Sequence, residues 1–450
     1  MDREDFKKWA EEKSGALTED VVRLVRIPSI SLYTGDENAP FGEECCRVIA
    51  EAKKIAAEKD FCFIEHEGYC GSLLWPGKKD SEIGIFHHLD VVEVGDGWTY
   101  PPFEGVVKDG LIFGRGTNDN KGPAMASLYA LMYLRERGFE PEHSIRLYFG
   151  LNEEKGMKDL EYYISRNPMP AFSFSPDSMD WPVCYGERGI ATMFASFDLE
   201  GSVLKDFNAG KALNIIPDAA QATLCIPGEE TCRVVQAAGT AAALCDPDLG
   251  VNAEVVLAKK LLDLGLLDER GEKFAKAVAE LFSDCHGEGI GVPISDECSG
   301  VLIHSGCTVK VENGKAIQSI GIRYPVTADP EYIKDKVSQV LTAHGFEVVS
   351  YSDNPPNYID PERIEVQEMT RICNEWLNAE YEPYVMPGGS YARKLDNAVS
   401  FGPFSKPAAN RLGAQRGRGH QADEYAAVED LIMAMGIIAE SIERLDEIIR

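Results

Sequence analysis

The chain has 450 residues, 44% hydrophobic and 26% charged, with 74 acidic against 45 basic side chains and a formal net charge of −29. That length exceeds one ordinary core and points to two domains. The charge argues against nucleic acid and anionic membranes as partners, and no apolar run reaches the roughly 18 residues of a transmembrane helix.

The opening MDREDFKKWAEEKSG reads as a charged amphipathic helix without the apolar core of a signal peptide. The 12 cysteines are scattered, with no CxxC pair and no Cys/His zinc-finger spacing. They read as free thiols in a reducing compartment, and so predict a cytoplasmic location. The run IGIFH (83–87) predicts a buried strand, 122–137 a helix rich in Ala, Leu and Met, and SIRLYFGL (144–151) a second buried strand. A third short strand is predicted at 171–175. Strand, helix, strand with polar residues at the strand ends is an α/β pattern, whose sites form beyond the carboxyl ends of the strands.

After about Arg188 the character changes. ATMFASFDLEG and AQATLCIPG alternate in polarity, as in an antiparallel sheet with one wet face. A helical stretch follows from about Asn252, then a Gly-rich stretch at 286–292, the strand QSIGIRYPV and a helix at 329–344. We read 1–186 as the first part of one domain, 187–356 as an inserted α+β domain and 357–450 as the chain's return to the first. The last section holds a helix from about Pro361, the strings VMPGGSYAR and AVSFGP, and a long helix from about Glu424.

Chemistry-bearing residues cluster at the predicted strand ends. His88 and Asp90 form an HxD pair, in which a carboxylate two residues on orients an imidazole. His87 lacks that partner. The loop Gly114–Gly122 lacks both the Walker and the dinucleotide-binding spacing. It either aims Asp119 into a cleft or caps the next helix with Asp119 or Asn120. Glu153 and Glu154 repel one another unless a cation is near; with metals, one ligates and the other moves a proton. Asp177 follows the third strand and His420 precedes the last helix. Each alone has a plainer reading as a turn, a cap or a solvated charge. Together they form the N/O ligand set suited to zinc, with manganese or cobalt as substitutes.

The strings HLDVVEVGDGW, PPFEGVVKDGLIFGRGTNDNKG, NEEKG, SPD, GERGI, NIIPD, GIRYP, GGSYAR, FGP and GHQADEY run in order over nearly the whole chain. In these the sequence resembles the ArgE/DapE/aminoacylase/carboxypeptidase-G family of dinuclear metallopeptidases, with PepV-type bacterial dipeptidases nearest within it. The resemblance implies a zinc-peptidase-like catalytic domain, a mixed sheet flanked by helices, with an inserted α+β lid or dimerisation domain. It implies two divalent ions, one held by His88 and Asp177, the other by Glu154 and His420, with Asp119 bridging and a cis peptide after it. Asp90 would hold His88. Glu153 would be the general base for a hydroxide bridging the ions. Arg323, Asn214, Gly388, Gly389 and Ser390 match substrate-contacting positions. The implied substrate is a dipeptide or an N-acyl amino acid, and the implied state a monomer or homodimer.

One departure stands out. In the stretch 239–253, Ala243 occupies the position of a histidine that in relatives stabilises the oxyanion. His286 and His304 are candidates to supply that donor; otherwise the enzyme is slow, or its substrate differs. Two other readings remain: an N-acyl-amino-acid deacylase, and a catalytically weak homologue. A serine hydrolase built on Gly388-Gly389-Ser390-Tyr391-Ala392, Asp396 and His420 leaves the other acidic motifs unexplained.

Overall fold

A computed structural model of the chain describes residues 1–178, 180–404, 411–413 and 416–449. It divides into two compact units, one of Met1–Tyr185, Ile359–Tyr384 and Gly389–Arg450, the other of Gly186–Tyr358 and Val385–Gly388.

The first unit is built on a mixed sheet. Its strands lie in the order Phe63–His66, Cys70–Trp75, His143–Gly150, Lys79–His88, Phe172–Ser175, Ala398–Phe401, Val183–Glu187. The four central strands run parallel, and the flanking pairs are antiparallel. The central strand begins at Lys79, earlier than its apolar run suggests, because its polar first residues still pair with His143 and Ser144. The helix Lys121–Glu136 is buried from Lys121 through Leu134, the pattern of a core helix. It packs on the helices Arg3–Val25 and Val428–Ile448. The first of these is amphipathic as expected: Asp2 caps it by accepting from the N–H groups of Glu4 and Asp5, and Phe6, Ala10, Leu17, Val21 and Leu24 are buried.

A small sheet joins distant parts of this unit. Leu111–Phe113 pairs with Val106–Lys108 on one side and with Tyr425–Ala427 on the other. The long C-terminal helix therefore begins at Val428; the predicted start near Glu424 is corrected because Tyr425–Ala427 pairs as a strand first. This pairing brings the loop after Phe113 beside the loop before Tyr425.

The second unit is a seven-stranded antiparallel sheet in the order Arg233–Ala238, Ala219–Leu224, Leu204–Ala209, Ile303–Glu312, Lys315–Tyr324, Gly189–Asp198, Glu347–Asn354. The helices Ala253–Leu264, Glu269–Leu281 and Pro330–Ala343 bury apolar faces in the same core. Asn252, Asp268 and Asp329 cap them with side-chain oxygens. The reading of every cysteine as a free thiol is corrected at one pair. Leu224 lies opposite Arg233 in the register, so the next residues inward, Cys225 and Cys232, meet and form a disulfide across the hairpin. The other ten form no disulfide. Among the described residues, no helix is long and apolar enough to cross a membrane.

Candidate metal centre

The parallel strand Lys79–His88 ends in two histidines with opposite surroundings. His87 is fully buried between Asn120 and Ser127. The Asn120 amide donates to the Pro176 carbonyl (2.7 Å) and to Asp177 Oδ1 (3.0 Å). Its carbonyl oxygen is left to accept from His87 Nδ1, at 2.5 Å. Burial pushes His87 down to about 3, so it is a neutral core residue. His88 Nδ1 donates to the backbone carbonyl of Asp90 at 3.0 Å. This leaves Nε2 facing Asp119 Oδ1 at 2.9 Å and Asp177 Oδ2 at 3.6 Å, which is the tautomer a metal ligand needs.

Asp119 sits at the start of the core helix, and its peptide bond to Asn120 is cis. The expected cap by Asp119 or Asn120 is absent: Asn120 is the N-cap residue but its side chain makes no cap hydrogen bond. Gly122 is required there because a Cβ would lie 2.1 Å from the Thr117 carbonyl oxygen. Asp119 faces two ways. Its Oδ1 meets His88, and its Oδ2 lies 3.2 Å from His420 Nε2. His420 Nε2 is also 2.9 Å from Glu154 Oε1. Two sets of three ligand atoms result, His88 with Asp119 and Asp177, and Asp119 with Glu154 and His420, each within 4.8 Å of one another.

The loops carrying these groups are fixed by buried carboxylates. Asp90 accepts from the N–H groups of Glu153 (3.1 Å) and Glu154 (3.2 Å); its Oδ1 is 3.5 Å from His88 Nδ1. Asp159 accepts from the N–H groups of Leu151 and Asn152 and from the Tyr391 hydroxyl. Glu424 is fully buried. Its Oε1 accepts from the N–H groups of Gly116 (3.0 Å), Asn118 (2.9 Å) and Asp119 (3.1 Å), and its Oε2 pairs with the buried Arg115 at 2.5 Å. Asp423 anchors the same loop to the N–H groups of Thr99 and Tyr100 and to Arg416. His420 has φ of +65°, a left-handed conformation uncommon for a side chain of its size. Asn120, Arg115 and Glu424 escape a reading of the sequence, since their partners are far away in the chain.

The cluster is short of positive charge. Burial opposes protonation of His88, yet Asp177, Asp119 and Asp90 raise it well above the ordinary histidine value. Burial likewise opposes protonation of His420, but Asp119 and Glu154 drive it up to about 11. Burial and the Asp119 charge push Glu154 up to about 7. Glu153 is raised well above the usual carboxylate range by burial and by Asp177, Glu154 and Asp90, against the pull of His88. Protons thus gather where cations would stand, and the imidazole and carboxylate donors match zinc-type ions. The residues fit a pair of divalent ions sharing Asp119.

Gly389 and Ser390 belong to the first unit; a Cβ on Gly389 would collide with the Arg393 side chain. Ser390 Oγ lies 2.6 Å from Ser400 Oγ and caps the turn Tyr391–Lys394, whereas His420 faces Asp119 and Glu154. The serine-hydrolase arrangement is not formed by these contacts. Arg323, Asn214, Ala243 and Gly388 belong to the second unit. Arg323 lies in the strand Lys315–Tyr324, half-buried. Asn214 is exposed, and its carbonyl accepts from Leu244 N–H at 2.9 Å, next to Ala243. His304 is fully buried, with Nδ1 accepting from Gly287 N–H and Nε2 donating to the Leu281 carbonyl. Both ring nitrogens are engaged, so it is not an available oxyanion donor.

The sequence profile of Peptidase family M20/M25/M40 matches residues 84–444. The Beta-Ala-Xaa dipeptidase of Lactobacillus delbrueckii subsp. lactis is 30% identical over 480 residues, covering 98% of this chain and 98% of that protein. Among solved structures, human carnosine dipeptidase 1 superposes with a TM-score of 0.62 at 13% identity, covering 99% of each chain. The di-peptidase Dug1p of Saccharomyces cerevisiae gives 0.58 at 13% identity, covering 98% of each. The last two are likenesses of fold.

Proposed function

The chain belongs to Peptidase family M20/M25/M40, and from that premise we propose that it is a metal-dependent dipeptidase with Glu153 as general base. The observation that carries this reading is the Asp119 carboxylate, which faces His88 with one oxygen and His420 with the other. In this reading His88 and Asp177 hold one divalent ion, Glu154 and His420 a second, and Asp119 both. Zinc is the first choice, with manganese or cobalt as substitutes. Such ions, when bound, acidify water and polarise a carbonyl.

The protein's own groups do the rest. Glu153 takes a proton from the attacking water and returns it to the leaving amine. Asp90 fixes the Glu153 backbone, so that the carboxylate starts each cycle from one position. Arg323 takes the substrate's terminal carboxylate with its guanidinium fork, and Asn214, Gly388, Gly389 and Ser390 line the substrate. The Lactobacillus relative's name supports a dipeptide substrate. The Ala243 side chain supplies no hydrogen-bond donor, and one missing oxyanion donor costs about 2.7–4 kcal/mol of barrier, so turnover is slow unless another group substitutes.

The test is turnover on a panel of dipeptides and N-acyl amino acids, after stripping the protein and adding back zinc, manganese or cobalt. Metal-dependent cleavage of dipeptides is expected. Cleavage of acyl amino acids alone would make it a deacylase, and metal binding without turnover on either class would make it an inactive homologue.

A further inference from the structure

We propose that Asp248, Cys285 and His286, all in the second unit, hold an additional divalent ion of the zinc class. Cys285 Sγ lies 3.5 Å from Asp248 Oδ1 and 4.0 Å from His286 Nε2. His286 Nε2 lies 3.4 Å from Asp248 Oδ2. A tetrahedral zinc ion with bonds of about 2.3 Å to sulfur and 2.0–2.2 Å to nitrogen and oxygen sets its ligand atoms roughly 3.3–3.6 Å apart. The 3.5 Å and 3.4 Å separations fall in that range but end on the two different oxygens of Asp248, so one carboxylate oxygen reaches both partners after a small rotation of that carboxylate, and a rotation of the thiol shortens the 4.0 Å separation. These three residues form a group whose ligand atoms all lie within 4.8 Å of one another.

The donor types narrow the ion. A thiolate and an imidazole with a single carboxylate favour zinc or cobalt over magnesium or calcium, which take oxygen. Three protein ligands leave a fourth position for water. Access is open, since the Asp248 and His286 side chains are 74% and 39% exposed. A surface ion pair would account for His286 and Asp248 alone, but it leaves the Cys285 thiol directed at a carboxylate.

The backbone presents the ligands from fixed positions. Asp248 lies in the short turn Pro247–Leu249. Cys285 and His286 lie in a loop organised by Asp284, which accepts from the N–H groups of His286 (2.8 Å), Glu288 (3.2 Å) and Gly289 (2.7 Å). The Cys285 carbonyl accepts from His304 N–H (2.9 Å), and the His304 ring accepts from Gly287 N–H. The buried His304 is thus part of the frame that holds this loop. An ion here would tie the turn to the loop across a separation of 37 residues.

Cobalt distinguishes this site from the first, whose ligands include no sulfur. Full-length, metal-stripped, reduced protein is titrated with Co(II) and followed in the near ultraviolet, where thiolate-to-cobalt charge transfer absorbs. The expected result is a charge-transfer band whose amplitude at saturation corresponds to one thiolate-bound cobalt per chain, the sulfur-free site filling without contributing to it. It should be absent in Cys285→Ser and need about tenfold or more cobalt in His286→Ala and Asp248→Ala. It should persist in Glu154→Ala. Circular dichroism checks folding; if Cys285→Ser does not fold, the His286→Ala titration decides. No band in the wild type, a band that survives Cys285→Ser, or an unshifted His286→Ala titration would each overturn the proposal.

Discussion

The carboxylate of Asp90 accepts the backbone N–H of Glu153 at 3.1 Å, and that of Glu154 at 3.2 Å. His88 Nδ1 is nearer to the Asp90 carbonyl oxygen (3.0 Å) than to its carboxylate (3.5 Å). One residue therefore steadies the histidine mainly through its backbone and the glutamate pair through its side chain. Asparagine there would keep one acceptor and turn an amide donor toward the other N–H. Asp90→Asn is expected to lower kcat and weaken metal binding by about 10- to 100-fold each. Steady-state kinetics beside metal titration checks this, and wild-type values in both would remove Asp90 from the positioning role.

Glu153 has a different expected signature. Glu153→Gln keeps the shape and removes the proton acceptor, so kcat should fall by about 10²–10⁴-fold. Metal content, read by elemental analysis of the same sample, should not change. A variant with near-normal turnover and normal metal content would exclude Glu153 as the base.

Glu424 tests how far the centre depends on its buried frame. Truncation leaves Arg115 buried without its carboxylate partner and strips three N–H groups of their acceptor. Glu424→Ala should cost about 3–5 kcal/mol in denaturant unfolding. Glu424→Gln should cost less, because its amide oxygen can still accept from the loop. Equal stability of Glu424→Ala and the wild type would contradict the assigned role.

Glu254 gives the second unit a pH dependence. It is fully buried against Gln318 and Asn252, and burial pushes it up to about 7. Its folded value lies above its unfolded one, so the folded state holds the extra proton. That stabilisation is complete below about pH 4.5 and is lost as pH rises toward 7, a change on the order of 3 kcal/mol. Glu254→Gln should therefore gain on the wild type in melting temperature between pH 5 and pH 8. A constant difference across that range would refute it.

The sequence carries the fold's signals where the chain is apolar and regular. The runs ending at His88 and Gly150 read as strands because buried parallel strands are continuous apolar stretches, and the polar residues beyond them mark the edge of the site. Strand starts are less legible: Lys79 pairs in the sheet but resembles loop. The choice of His88 over His87 rests on the neighbouring Asp90, and the structure supplies a further reason in Asn120, whose partners lie at Pro176 and Asp177. Glu424 reads as the first residue of a helix because its partners are about 300 residues away in the chain. Local pattern is blind to such pairing, as it was to the Tyr425–Ala427 strand.

The order of the segments along the chain bears on how the protein is made. His88, Asp119, Glu154 and Asp177 all precede the second unit, while His420 and the strand Ala398–Phe401 follow it. That strand fills the gap between Phe172–Ser175 and Val183–Glu187. During synthesis, the His88–Asp119–Asp177 group is on the emerging chain well before its sheet can close, and the group containing His420 has no histidine until the last stretch is translated. A chain ending before His420 would lack that histidine and the Glu424 anchor together, and keep only the His88–Asp119–Asp177 group complete.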